Sequence, residues 1–208
     1  MNTKKTVIIG IAGASASGKS LFAHTIVSEI CSEKVVVIPE DNYYKDLSHL
    51  NMEERAKINF DHPNSLDHIL LENHLQLLKN GKSIDSPNYD HSTHSRSKKT
   101  IHIANHAIII LEGILLLSED KIRKNMDIKI FMDSPLDVCF VRRLKRDLKI
   151  RGRTIESVIQ QYENTVRPMY FQFIEPSKRY ADIIVPRGGK NRIAIEMVKT
   201  KIRELLEI

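Results

Sequence analysis

Between Gly13 and Ser20 the chain reads Gly13-Ala14-Ser15-Ala16-Ser17-Gly18-Lys19-Ser20, which fits the spacing G-x-x-x-x-G-K-[ST]. Glycines at both ends let successive backbone N–H groups turn inward around phosphate oxygens. The lysine reaches the β- and γ-phosphates, and the Ser20 hydroxyl is placed to ligate Mg²⁺ at a helix N-terminus. A second acid-bearing element is Ile108-Ile109-Ile110-Leu111-Glu112-Gly113, an apolar run ending in a carboxylate that can hold Mg²⁺ or its waters. A third is Pro39-Glu40-Asp41-Asn42-Tyr43-Tyr44, which follows the apolar Val35-Val36-Val37-Ile38. Phosphoryl transfer to an alcohol wants a carboxylate that orients the attacking hydroxyl and accepts its proton. Asp41 is the candidate, and the adjacent Glu40 competes with it.

Three further segments carry usable groups. In Asn59-Phe60-Asp61-His62-Pro63, Asp61 either caps a turn, the commoner fate of such an Asp, or binds vicinal hydroxyls of a sugar. The stretch from Asn88 through Tyr89, Asp90, His91 and His94 to Arg96 gathers aromatic, imidazole and guanidinium groups suited to stacking on a base and bonding its edge. From Arg142 to Arg153 the chain holds seven basic residues and one acidic one, Asp147, which leaves 25 basic and 25 acidic residues elsewhere. Charge confined to one segment points to a local anion site rather than to nucleic acid. Arg142, Arg143 and Arg146 share a predicted helix, and Arg151-Gly152-Arg153 marks a break before Thr154. Such a cluster reads as a lid over a triphosphate, with Gly152 as its hinge.

The elements that must position these groups follow from periodicity. Short β-branched runs at 6–12, 34–38, 107–111, 126–132 and 181–185 read as buried strands, and helical patterns lie between most of them. Phe22, Ile26 and Ile30 recur every four residues, and Leu66, Ile69, Leu70, Leu75 and Leu78 do so over 65–79. Alternating strands and helices imply right-handed crossovers and an α/β fold, a doubly wound, mostly parallel sheet with its ligands at the strand C-termini. Residues 83–103 break the rhythm and read as a β-hairpin insert; the lid region spans 142–160. With no internal repeat or linker, the 208 residues read as a single domain with inserts.

Composition excludes other classes. The chain is 41% hydrophobic and 28% charged, an ordinary globular balance. Its two cysteines, Cys31 and Cys139, form no C-x-x-C pair, no H-E-x-x-H motif occurs, and the His102/His106 pair falls in an alternating, strand-like stretch rather than on a helix. A disulfide framework or a zinc site is therefore not expected, and a reducing, cytoplasmic setting is. The first apolar run is too short for a membrane span and no signal-peptide pattern precedes it.

In order along the chain, Gly13 to Ser20, Glu40 to Tyr44, Phe60 to Pro63, Tyr89 to Arg96, Leu111 to Gly113, Arg143 to Arg153 and Pro186-Arg187-Gly188-Gly189 resemble the pattern of the uridine (uridine-cytidine) kinases. The resemblance spans nearly the whole sequence. It implies a P-loop NTPase fold and Mg²⁺-dependent transfer of the γ-phosphoryl of ATP or GTP to the 5′-hydroxyl of uridine or cytidine, giving UMP or CMP in pyrimidine salvage. It also implies a homotetramer. Carried over by position, Asp41 matches the catalytic carboxylate, and Asp61 the acid that grips the ribose hydroxyls. Tyr44 lines that pocket. Tyr89 and His94 match residues against the pyrimidine, while Arg143 and Gln161 match nucleoside contacts. Arg146, Arg151 and Arg153 match the triphosphate lid, and Arg187 lies where the donor base is held. Two positions depart from the pattern: His91 stands where Phe or Tyr is usual, and Pro39-Glu40 where Ser-Gln is frequent.

Related phosphoribulokinases and pantothenate kinases share the P-loop and lid logic without the 89–96 hairpin, and a non-catalytic nucleotide-binding regulator is a further alternative. A GTPase would carry N-K-x-D, which is absent. A nucleic-acid-binding ATPase would spread its basic residues along a groove. Neither nucleic acid nor a membrane is an expected partner.

Overall fold

A computed structural model of the protein describes residues 6–104 and 106–207; the lead into the first strand, residues 1–5, lies outside them. Strand β1 (Val7–Gly13) runs into the phosphate-binding loop and helix α1 (Lys19–Ile30), then β2 (Val35–Pro39). A 3₁₀ turn at Glu40–Tyr43 leads to α2 (Met52–Ala56) and α3 (His68–Lys79). The insert follows as β3 (Ile84–Ser86), β4 (Tyr89–Asp90), β5 (Ser95–Arg96) and β6 (Ile101–Ile103). Then come β7 (Ile108–Gly113), α4 (Asp120–Arg123), β8 (Ile128–Asp133) and α5 (Leu136–Lys149).

After α5 the chain stays helical but irregular. Helix α6 (Ile155–Gln161), α7 (Arg167–Met169) and α8 (Glu175–Ser177) are separated by π-helical turns at Tyr162–Val166 and Tyr170–Ile174. Each wide turn lies just ahead of a proline. Pro168 and Pro176 have no N–H for the carbonyl four residues back, and their rings crowd it, so the turn loosens. Strand β9 (Ile183–Pro186) and α9 (Arg192–Leu206) complete the fold.

Five strands make a wholly parallel sheet in the order β2-β7-β1-β8-β9. Side chains alternate across it, as strand geometry requires. Ile9, Ile11, Ile108 and Ile110 face α1 and α9 through Phe22, Ile26, Ile195 and Ile202. Ile8, Ala12, Ile109 and Leu111 face the other side with Leu71, Leu75 and Leu78 of α3. Both faces are covered, so the α/β, doubly wound fold class holds.

Boundaries differ from the sequence reading by one to two residues, because parallel pairing extends to the strand C-termini: Gly13 pairs with Met132 and Asp133 with Pro186. Helix α3 begins at His68 rather than 65, because Pro63–Ser65 closes its own 3₁₀ turn and the Asp67 carboxylate caps α3 by accepting from Leu70 N–H at 3.1 Å. The face of α3 turned to the core carries Leu71, Leu75 and Leu78, and Ile69 is left 72% exposed. The insert is two nested antiparallel ladders, β3 with β6 and β4 with β5.

The strand edges are tied by Glu40. Its fully buried carboxylate accepts from Leu115 N–H at 2.9 Å and lies 3.1 Å from His68 Nε2. Only glycine fits opposite it, since a Cβ on Gly113 would lie 2.1 Å from Glu40 Oε2 and 2.3 Å from its Cβ. Gly113→Ala is expected to destabilise the protein by about 3 kcal/mol, the upper range for overpacking, lowering Tm by roughly 6–12 °C for a chain of this size. Thermal unfolding followed by circular dichroism checks this; an unchanged Tm would mean that Glu40 can move aside freely.

Candidate active site

The loop after β1 is shaped by contacts that exclude side chains. Gly13 has φ of +147°, and a Cβ there would lie 2.7 Å from the Met132 carbonyl oxygen. Gly18, with φ of +99°, would place a Cβ 2.5 Å from Gly189 N. The loop is thus clamped between β8 and the 188–189 turn. Helix α1 starts at Lys19 without any side-chain cap, so its first N–H groups are free for an anion.

Beside it lies a cleft of about 340 Å³. It is lined by Ser15, Ala16, Gly18, Lys19 and Ser20 of the loop, by Arg142, Arg143, Arg146, Arg151 and Arg153, and by Asp41, Tyr44, Phe60, Asp61, Tyr89, His91 and His94. Gly13, Ala14 and Ser17 back the loop rather than line the cleft. Register explains why acids meet the loop. Parallel pairing sets Glu112 beside Ile11 on one side and Pro39 on the other, so both Glu112 and the turn bearing Asp41 emerge at the loop.

Ser20 Oγ donates to Glu112 Oε1 at 3.0 Å. These are hard oxygen donors. Among the described residues no cluster of three or more His, Cys, Asp or Glu could hold a metal. Two protein oxygens suit Mg²⁺, which keeps waters and shares substrate phosphates rather than entering an all-protein cage. Burial raises the Glu112 pKa, while the nearby Lys19 lowers it.

The structure separates the two adjacent acids. Glu40 is enclosed in the core and engaged with Leu115 and His68, whereas Asp41 opens onto the cleft, its side chain 39% exposed. Asp61 is not a capping residue: the turn at Pro63–Ser65 is capped by His62, and Asn59 caps the Asp61 N–H. Its carboxylate is buried against the cleft, and among the described residues it accepts no hydrogen bond. Burial raises its pKa, and Arg143 opposes this. Around it Phe60 meets Tyr44 edge-on, with centroids 5.3 Å apart, and stacks on His94 at 5.2 Å and 19°.

Arg143 ties the loop to α6, donating from Nη1 to Ser15 Oγ at 2.9 Å and from Nη2 to Gln161 Oε1 at 2.8 Å; Arg153 donates to the same Gln161 oxygen. Asp147, fully buried, gathers the arginines. It accepts from Arg146 Nε at 2.8 Å and lies within 3.8 Å of Arg143, Arg151 and Arg153. Gly152, with φ of +61° and nothing near its missing side chain, turns the chain between Arg151 and Arg153. Arg187 is the exception among the expected residues. It lies off the cleft, in a groove between β9 and α9, while its neighbours Gly188 and Gly189 pack on the loop.

Sequence reasoning assigned no role to Asp147 or Phe60, and read His91 only as part of a stretch suited to a nucleobase. The signal for Asp147 was present, as the single acid in a block of seven bases. Phe60 and His91 adjoin assigned residues, but nothing local shows which way a ring turns.

Residues 8–194 match the family model described as phosphoribulokinase / uridine kinase. A uridine kinase of Enterobacter sp. (strain 638) is 60% identical over 97% of this chain and 96% of its own length; one of Pasteurella multocida is 56% identical over 99% and 97%. Among solved structures, the phosphoribulokinase of Rhodobacter spheroides aligns with a TM-score of 0.64 at 17% identity, covering 88% of this chain and 71% of its own. D-glycerate 3-kinase of Cryptococcus neoformans aligns at 0.59 and 16% identity, covering 84% and 80%. These two share the P-loop kinase fold. With a matching model over most of its length and relatives above half identity, the chain belongs to the phosphoribulokinase/uridine kinase family.

Proposed function

We propose that this protein phosphorylates the 5′-hydroxyl of uridine and cytidine with ATP or GTP as donor. The carrying observation is one cleft lined both by loop residues and arginines suited to a polyphosphate and by aromatic and carboxylate side chains suited to a nucleoside. The high identity to uridine kinases along the whole chain supports the same substrate class.

The chemistry follows from placement. Loop N–H groups and Lys19 hold the β- and γ-phosphates; Gly13, Ala14, Ser15, Ala16, Ser17, Gly18 and Ser20 complete the cradle. Ser20 and Glu112 are the residues that would hold Mg²⁺, which when bound with the nucleotide neutralises charge on the phosphates. Asp61 accepts from the ribose hydroxyls, two donors that an unpartnered carboxylate can take together. Tyr44, Tyr89 and His94 receive the base, with Arg143 and Gln161 at its edge. Asp41 orients the 5′-hydroxyl and takes its proton as the new P–O bond forms, the bridging bond to the β-phosphate breaks and the nucleoside diphosphate leaves. Arg146, Arg151 and Arg153 stabilise the charge spread over the transferred oxygens and exclude water.

Arg187 is assigned to the donor base by the resemblance alone, since it stands off the cleft. The family setting supports four copies per assembly and a place in cytoplasmic pyrimidine salvage. Among the described residues no helix is long and apolar enough to cross a membrane.

Three measurements test this reading. With Mg-ATP, ADP release is expected with uridine and cytidine but not with thymidine, ribulose 5-phosphate or pantothenate; turnover of one of the latter alone would overturn the acceptor assignment. Asp41→Asn is expected to lower kcat by about 10²–10⁴-fold, the usual size of a general-base contribution, with little change in KM. A near wild-type kcat removes Asp41 from the reaction. Asp61→Ala is expected to raise the nucleoside KM by roughly 10–100-fold, as loss of charge-assisted hydrogen bonds does, leaving the ATP KM unchanged. An unaltered nucleoside KM would put the ribose elsewhere.

A further inference from the structure

The insert brings one group to the reacting end of the cleft that the transfer scheme leaves unused. His91, at the tip after β4, places Nε2 3.6 Å from Asp41 Oδ2. Its ring is held edge-on to Tyr89, with centroids 5.2 Å apart at 81°, and both rings line the cleft. Asp41 arrives from the turn after β2 and His91 from the hairpin, so the contact joins two elements 50 residues apart in sequence.

We propose that His91 is a positioning residue for Asp41, donating from Nε2 to one carboxylate oxygen so that the other faces the 5′-hydroxyl; this rests on the kinase reading above. A carboxylate on a turn can rotate, and a second donor on Oδ2 removes that freedom. The 3.6 Å separation is longer than a hydrogen bond. Such contacts are commonly long in ligand-free sites and tighten when substrate binds. A phenyl or phenol ring at this position would keep the packing on Tyr89 and lose the imidazole donor.

Charges around His91 set its protonation. Asp41 faces it from the turn after β2, Asp90 from its own strand, Arg146 from α5 and Arg151 from the lid, with His94 alongside on the same tip. Burial is the largest influence and holds the imidazole pKa below its ordinary value; the arginines act in the same direction and the two aspartates against it. The ring is therefore neutral near pH 7 and able to donate in its Nε2–H form. As pH falls through that lowered pKa the imidazolium forms and pairs with Asp41 as an ion, which makes the carboxylate a poorer proton acceptor. The same hairpin carries Tyr89 and His94, so seating the nucleobase and aiming Asp41 become one movement.

The test compares wild type, His91→Phe and His91→Gln as full-length protein, measuring kcat and KM for uridine at saturating Mg-ATP across about pH 5.5–8.5, the range in which histidine titrates. His91→Phe is expected to lower kcat about 5–10-fold, within the range for losing one positioned group, with uridine KM within about twofold, and to lose the histidine-dependent decline at acid pH. His91→Gln keeps a neutral donor and is expected to regain most of kcat without that acid limb. His91→Phe with wild-type kcat and an unchanged acid limb overturns the proposal, as does a loss confined to KM in both variants. The imidazole is half exposed, so folding is not at stake, and matching unfolding midpoints verify it. Absence of uridine turnover by the wild type would overturn the functional reading itself, before any variant is compared.

Discussion

Asp147 holds together the most strongly repelling part of the molecule. Four guanidinium groups lie within 3.8 Å of this one buried carboxylate. Like charges packed that closely in a partly desolvated cleft oppose one another, and each loses hydration on approach. The carboxylate offsets one charge and leaves the remainder as a standing positive potential, which is what a triphosphate requires. Removing a single partner from such a buried set leaves uncompensated charge, so the arrangement behaves as a unit. Arg143 carries it further, through Ser15, into the phosphate-binding loop.

The loop is held by exclusion rather than by charge. Gly13 and Gly18 lie where a Cβ would run into the backbone of β8 and of the 188–189 turn. The close approach of three chain segments leaves the uncapped start of α1 aimed at the cleft, with its N–H groups unspent. Glu40 does similar work on the opposite side, tying the exit of β2 to the exit of β7 so that its neighbour Asp41 is left facing the loop. Two adjacent acids therefore serve opposite ends: one is consumed by packing and the other opens onto the cleft.

The aromatic part of the cleft depends on the insert. Residues 83–103 add little to the sheet, yet they deliver Tyr89, His91 and His94 to a site whose other parts come from β1, β2 and α5. Asp61 reaches the same cleft from the turn before α3, where His62 and Asn59 meet the local capping needs and leave its carboxylate open to the cleft.

What the sequence determined by itself was local and periodic. The G-x-x-x-x-G-K-S spacing, the apolar runs ending in acids, the 3.6-residue stripes and the basic block are each contained within about 20 residues, and strand and helix periods translate them directly into a parallel α/β sheet with its ligands at one edge. Tertiary structure alone decided which of Glu40 and Asp41 is free, that Asp61 caps nothing, that Asp147 collects four arginines, that His91 meets Asp41, and that Arg187 stands off the cleft. Each of these depends on which atoms meet across long sequence separations. Adjacent acids of similar propensity differ only in which way the backbone turns them. That is set by the register of β7 against β1 and β2 and by the packing of the insert, neither of which leaves a periodic trace in the chain.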